Sequence, residues 1–128
     1  MRGLYHLSMK VTPAAALKQI RRICLSFPEA HEKVAWSAPT FRVKDKLFAM
    51  FHSDHHGDGR LAVWCKAPPG MQETLVKADP KYFFRPPYVG PSGWIGIELN
   101  KGLEWGVVAS FLAEAYRMTA PKKLAAMM

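Results

Sequence analysis

The chain has 128 residues, 49% apolar and 22% charged, and its 18 Lys and Arg against 10 Asp and Glu give a net charge of +8. This length suits one domain, spanning residues 1–128, with a core that needs no staples, and the composition is unlike that of a disordered chain. No apolar run approaches the ~20 residues of a membrane span, and residues 1–10 lack the apolar core and cleavage site of a signal peptide, so the expected location is the cytoplasm. Cys24 and Cys65 sit in apolar contexts, as buried free thiols do in a reducing compartment. The positive excess favours anionic partners, with nucleic acid first among them.

Thr12 and Pro13 signal the start of a helix, one as its cap and the other at the first helical position. Ala16, Leu17, Ile20, Ile23, Cys24 and Phe27 recur at helical spacing, and Pro28 marks the end. The pattern then changes to strands. Val34-Ala35-Trp36 is short and apolar. In Thr40-Phe41-Arg42-Val43 the residues Phe41 and Val43 share a face. Lys44-Asp45-Lys46 makes a tight turn into Leu47–Phe51, a central strand expected to be covered on both faces. The polar loop Ser53–Gly59 connects to a return strand, Arg60–Lys66. Short connections imply an antiparallel meander. A second helix follows Pro68-Pro69-Gly70, with Met71, Leu75 and Ala78 on one face.

The stretch from Ala78 to Leu99 combines Lys81-Tyr82-Phe83-Phe84-Arg85-Pro86-Pro87-Tyr88 with an apolar strand from Trp94, entered through Gly90-Pro91-Ser92-Gly93. Its prolines and glycines hold rings on a stiff connection, which must either pack on the sheet or form a recognition surface. The last helix is expected from Leu103 to Met118, with a stripe of Leu103, Val107, Phe111, Leu112 and Ala115. Residues 1–11 and 120–128 are expected as loose ends. The fold class is therefore α+β: a twisted, mainly antiparallel sheet of about five strands packed against N- and C-terminal helices.

An ordered set of residues carries a resemblance. It comprises Cys24-Leu25-Ser26-Phe27-Pro28-Glu29-Ala30, then Trp36-Ser37-Ala38-Pro39-Thr40-Phe41-Arg42-Val43, Phe84-Arg85-Pro86-Pro87-Tyr88-Val89-Gly90, Gly93-Trp94 and Ala115-Tyr116-Arg117. The sequence resembles the MmcQ/YjbR family of small bacterial proteins over nearly its whole length. That resemblance implies a frataxin-like, double-wing fold and a DNA-binding label, with no catalytic residue and no cofactor. Frataxins bind iron through carboxylates on the first helix. Here that helix carries Lys18, Arg21 and Arg22 and no carboxylate before Glu29, so no iron function is expected.

The leading functional reading is non-catalytic DNA binding through Arg42, Lys44, Lys46, Arg60 and Lys66 on the hairpins, with Lys81 and Arg85 interleaved among rings. The alternative is a small-molecule or protein-binding module whose cleft is lined by Trp36, Tyr82, Tyr88 and Trp94. An apolar pocket beside a few polar groups favours the second, and a continuous positive face without a pocket favours the first. His52, His55 and His56 with Asp54 and Asp58 match neither a zinc-enzyme motif nor a calcium loop, and read as an exposed polar turn without metal. Glu98, or His31 with Glu32, could serve as a base, but no nucleophile–base constellation accompanies them.

Overall fold

Helix α1 (Pro13–Cys24) begins as its sequence dictates, with the Thr12 hydroxyl oxygen accepting from the Ala15 amide at 3.1 Å. The structure, a computed structural model, describes residues 10–128, and residues 1–9, most of the expected loose N-terminal end, lie outside the described residues. Ala16, Ile20 and Cys24 are buried, and Leu17, Ile23 and Phe27 pack against the same core. The helix stops at Cys24, ahead of Pro28. The Ser26 and Phe27 amides turn back to the carbonyls of Ile23 and Cys24, so the chain has tightened out of the α-helix before the proline is reached.

Six strands follow: β1 (Ala30–Ala35), β2 (Ala38–Val43), β3 (Lys46–Ser53), β4 (Leu61–Cys65), β5 (Phe83–Phe84) and β6 (Ile95–Glu98). They form one antiparallel sheet in the order β1-β2-β3-β4-β6-β5. The sixth strand is the two-residue β5, too short to show an alternating pattern in the sequence. The first two hairpins close through Trp36-Ser37 and Lys44-Asp45, all four at positive φ, as a two-residue turn requires if the strands are to keep their twist. Edge strand β1 is more open than its apolar residues suggest, with Val34 70% exposed, and Trp36, expected to continue that strand, lies in the turn and is 72% exposed.

The two faces of the sheet differ. Phe41, Val43, Phe51, Val63, Cys65, Ile95 and Ile97 join a core with α1 and helix α3 (Trp105–Thr119). There Phe27, Phe48 and Tyr116 form a ring cluster with centroids 5.1–6.1 Å apart, and the Tyr116 hydroxyl donates to the Pro28 carbonyl at 2.6 Å. Cys24 and Cys65 are buried free thiols on this side, and burial pushes the Cys65 thiol up to about 12. The opposite face carries Met50, Ala62, Trp64, Phe84 and Trp94, with Leu47 and Val89 against them. Among the described residues no α-helix contributes to this cluster, and Val89 from the connection between β5 and β6 packs on it.

Two helical stripes are met in part. In helix α2 (Met71–Ala78) Met71 and Leu75 pack against the main core as expected, but the fully buried residue is Gln72 and Ala78 is exposed. In α3 Leu112 and Ala115 are buried and Phe111 packs against the core as expected; Val108, Tyr116 and Thr119 join them, and Val107 is instead 37% exposed. Leu103 precedes the helix, so helical spacing counted from it has no meaning. The C-terminal residues, expected to be loose, include a helical turn, α4 (Lys122–Ala125), whose Leu124 is buried in the main core. Among the described residues no helix is long and apolar enough to cross a membrane.

Candidate ligand cleft on the open face of the sheet

Strand parity places Met50 and His52 of β3 on the helix-free face, beside Trp64 and Ala62 of β4. A cavity of ≈ 460 Å³ opens over them, a size within the usual range for small-molecule sites. Leu47, Met50, His52 and Trp64 line it from the sheet, Trp36 from the β1–β2 turn, His55 and His56 from the loop after β3, and Tyr88 and Val89 from the β5–β6 connection.

The deepest part is polar in one respect. His52 and Trp64 are 7% and 1% exposed, and His52 Nε2 and Trp64 Nε1 are buried without a hydrogen bond among the described residues. Buried polar atoms are almost always paired, so two orphans on adjacent rings call for an explanation. The rings lie 3.9 Å apart between centroids. Burial, reinforced by neighbouring His55, lowers the His52 imidazole to about 4, so it is neutral at pH 7. The indole can only donate, whereas a neutral imidazole nitrogen donates or accepts according to tautomer.

The histidine loop is a built wall. Asp54 Oδ1 accepts from the Gly59 amide at 2.7 Å, Asp58 Oδ1 from the Arg60 amide at 2.8 Å, and the Asp54 amide donates to the Arg60 carbonyl at 2.7 Å. The 3-10 turn His55–Gly57 then brings the His55 ring within 4.6 Å of His52, 4.9 Å of Trp64 and 6.0 Å of Tyr88, centroid to centroid. Two loop carboxylates thus serve as backbone acceptors, and among the described residues no three His, Cys, Asp or Glu side chains are grouped to hold a metal. His52 belongs to the strand rather than to the exposed turn.

The opposite wall is latched to α2. The Gln72 amide nitrogen donates to the carbonyls of Gly90 and Trp94 at 2.8 and 2.6 Å, and its oxygen accepts from Arg85 at 3.3 Å. Its burial is therefore a matter of hydrogen bonding, which apolar periodicity cannot reveal. Gly96 is equally specific: a Cβ there would come within 2.3 Å of the Phe84 ring, which lies across β6 beside Trp64. Trp36 and Tyr88, by contrast, are 72% and 75% exposed and sit at φ 52° and 65°. Bulky residues in the left-handed region are uncommon and strained.

Of the four rings expected to share a cleft, Trp36 and Tyr88 do so. Tyr82 packs on the helix-backed core under the Lys81 ammonium, which lies 5.3 Å from its ring centroid, and Trp94 is buried beneath the connection. The seven basic residues do not form one free patch. Arg42 bonds Thr40 and the Asp45 carbonyl and lies 5.9 Å over Trp36, and Lys44 pairs with Glu29 at 2.8 Å. Arg60 pairs with buried Glu98 and covers Phe84 at 3.9 Å, while Arg85 bonds Gln72. Lys46 and Lys66 make no ion pair among the described residues. Glu98 is thus committed to Arg60, and Glu32 to a two-bond pair with Arg21, both at 2.8 Å. His52, Trp64, Met50, Leu47 and Val89 are cleft residues beyond the expected set. Alternation along β3 and β4 was the available signal for the first three.

The architecture is that of an α+β protein with helices on one face of a single antiparallel sheet and a cleft on the other. The YjbR family model matches residues 25–118, and the chain belongs to that family. A crystal structure of Deinococcus radiodurans protein DR2400, described by its DUF419 domain, is similar at a TM-score of 0.68 with 19% identity, covering 86% of this chain and 78% of that one. No match was found among curated proteins.

Proposed function

We propose that this YjbR-family chain is a non-catalytic binding protein whose site is the aromatic cleft and whose ligand is a small molecule with a flat apolar ring. The observation that carries this reading is the pair of orphaned ring nitrogens on His52 and Trp64 at the base of the cleft. A ligand atom that accepts from Trp64 Nε1 would remove an unsatisfied buried donor, which contributes about 1–3 kcal/mol. Trp36 and Tyr88 offer exposed rings for stacking, and their backbone strain at the cleft mouth is of the kind that clusters at functional sites.

Trp36 and Trp64 also supply an intrinsic signal. Titration with quinoline, a neutral flat ring with one acceptor nitrogen, should give a saturable change in tryptophan emission. The Tyr88→Ala variant should weaken binding by about 3- to 10-fold, the size of one aromatic contact. Absence of a saturable change in the wild-type protein would sink the reading, as would unchanged affinity in the variant.

DNA binding through the hairpin cations is the second reading, favoured by the net charge of +8. Fluorescence anisotropy with labelled duplex between about 50 and 200 mM salt tests it, since contact with about four phosphates gives a log–log slope near −3.6. The triple substitution Arg42→Glu, Lys44→Glu, Lys46→Glu should then weaken binding without unfolding the chain. Equal affinity in that variant would remove the hairpins from any DNA interface.

A further inference from the structure

The cleft does not end at its aromatic wall. His55, His56 and Tyr88, which line it, also line an adjoining groove that runs to Arg60 and Arg85 and has Asp58 as its acidic member. The two cations differ. Arg60 is compensated by buried Glu98. Arg85 is exposed, its side chain donates to the neutral Gln72 amide, and it has no carboxylate partner among the described residues. Gly90 leaves room for this arginine: a Cβ there would approach Arg85 Cγ to 2.9 Å, so the side chain lies against the bare glycine backbone. A latched cation next to an aromatic cleft with an orphaned donor at its base is a pairing of features that neither shows alone.

We propose that the cleft takes an amphipathic anion: a planar heteroaromatic ring with an acceptor atom toward Trp64 Nε1, joined to a carboxylate or phosphate that reaches Arg85. The inference rests on the cleft being a ligand site. The ring displaces solvent from Leu47, Met50 and Trp64. The anion supplies the guanidinium, one nitrogen of which already donates to Gln72, with the negative partner it lacks. Asp58 opposes it from the same groove, with one carboxylate oxygen already engaged by the Arg60 amide.

Isothermal titration calorimetry with two matched pairs tests this: a quinoline carboxylate against its carboxamide, and adenosine monophosphate against adenosine. In at least one pair the anion should bind about 10-fold more tightly than its neutral partner, the size of a charge-assisted hydrogen bond. The pair that shows the preference identifies the anion as carboxylate or phosphate. Arg85→Gln should erase the preference, so that the anion and its neutral partner bind alike. Asp58→Asn, which keeps the acceptor for the Arg60 amide, should widen it by about 2- to 3-fold. Equal binding of anion and neutral partner in both pairs overturns the amphipathic assignment while the cleft reading stands. An anion preference that persists in Arg85→Gln overturns it too. No binding by any of the four compounds removes both.

Discussion

Under α1 and α3 the sheet buries Phe41, Val43, Val63 and Ile97 completely, and their side chains carry no polar atom. On the other face it buries Trp64 and His52 with ring nitrogens unanswered, and it leaves Trp36 and Tyr88 outside, twisted into the left-handed region. The first face follows the rule for stability, which is close packing of apolar side chains. The second departs from that rule three times within one cavity: orphaned polar atoms, exposed rings and strained backbone. Departures concentrated in one place are what a binding site requires, because groups satisfied within the protein have nothing left to offer a ligand. Hydrogen bonds at the cleft's margins, from Gln72 on one side and Asp54 with Asp58 on the other, hold its walls in place.

The contrast can be broken from either side. The largest effect is expected on the packed face, where Leu112→Ala should cost about 2–5 kcal/mol in urea unfolding and leave quinoline affinity unchanged in the fraction that remains folded. If binding falls as steeply as stability, the two faces are not separable. Gly96→Ala should cost about 1–3 kcal/mol through collision with the Phe84 ring, and here affinity should fall as well, because β5 leads directly into the wall bearing Tyr88. An unchanged melting temperature would show that Phe84 can leave β6 freely.

The His52 imidazole falls from an ordinary 6.5 to about 4 on folding. Between these values the unfolded chain binds the proton that the folded chain refuses, so stability is full above pH 6.5 and declines as pH drops toward 4. The decline should be on the order of 3 kcal/mol. It is read as the difference between the pH–stability profiles of the wild-type protein and His52→Gln, and parallel profiles would mean that His52 is not shielded. The smallest effect is expected at the cleft mouth. Trp36→Asn should raise stability by up to about 1 kcal/mol, since asparagine tolerates positive φ, and this exceeds the ~0.5 kcal/mol of the exposed contact with Arg42. The same change should weaken quinoline binding. A variant that gains stability and loses affinity would separate the two faces most sharply; one that loses stability would show that the turn is not strained.

Much of this molecule was legible in the chain because it depends on neighbours in sequence. The Thr12 cap, the turn at Lys44-Asp45 and the meander of β1 to β4 all follow from local patterns of a few residues, whereas Trp36, which reads as the end of an apolar strand, sits in the β1–β2 turn. The family too was legible, through an ordered set of short segments. Tertiary structure decided the rest. Gln72 is buried because two carbonyls some 20 residues away, Gly90 and Trp94, need its amide nitrogen. Tyr82 goes to the packed face and Tyr88 to the cleft because the connection between β5 and β6 folds across only one side of the sheet. His52 reads as one more loop histidine until strand pairing sets it on the face of Trp64. Sequence periodicity reports which residues leave water, but the partner that each one meets depends on contacts between distant segments, and a binding site is made of those partners.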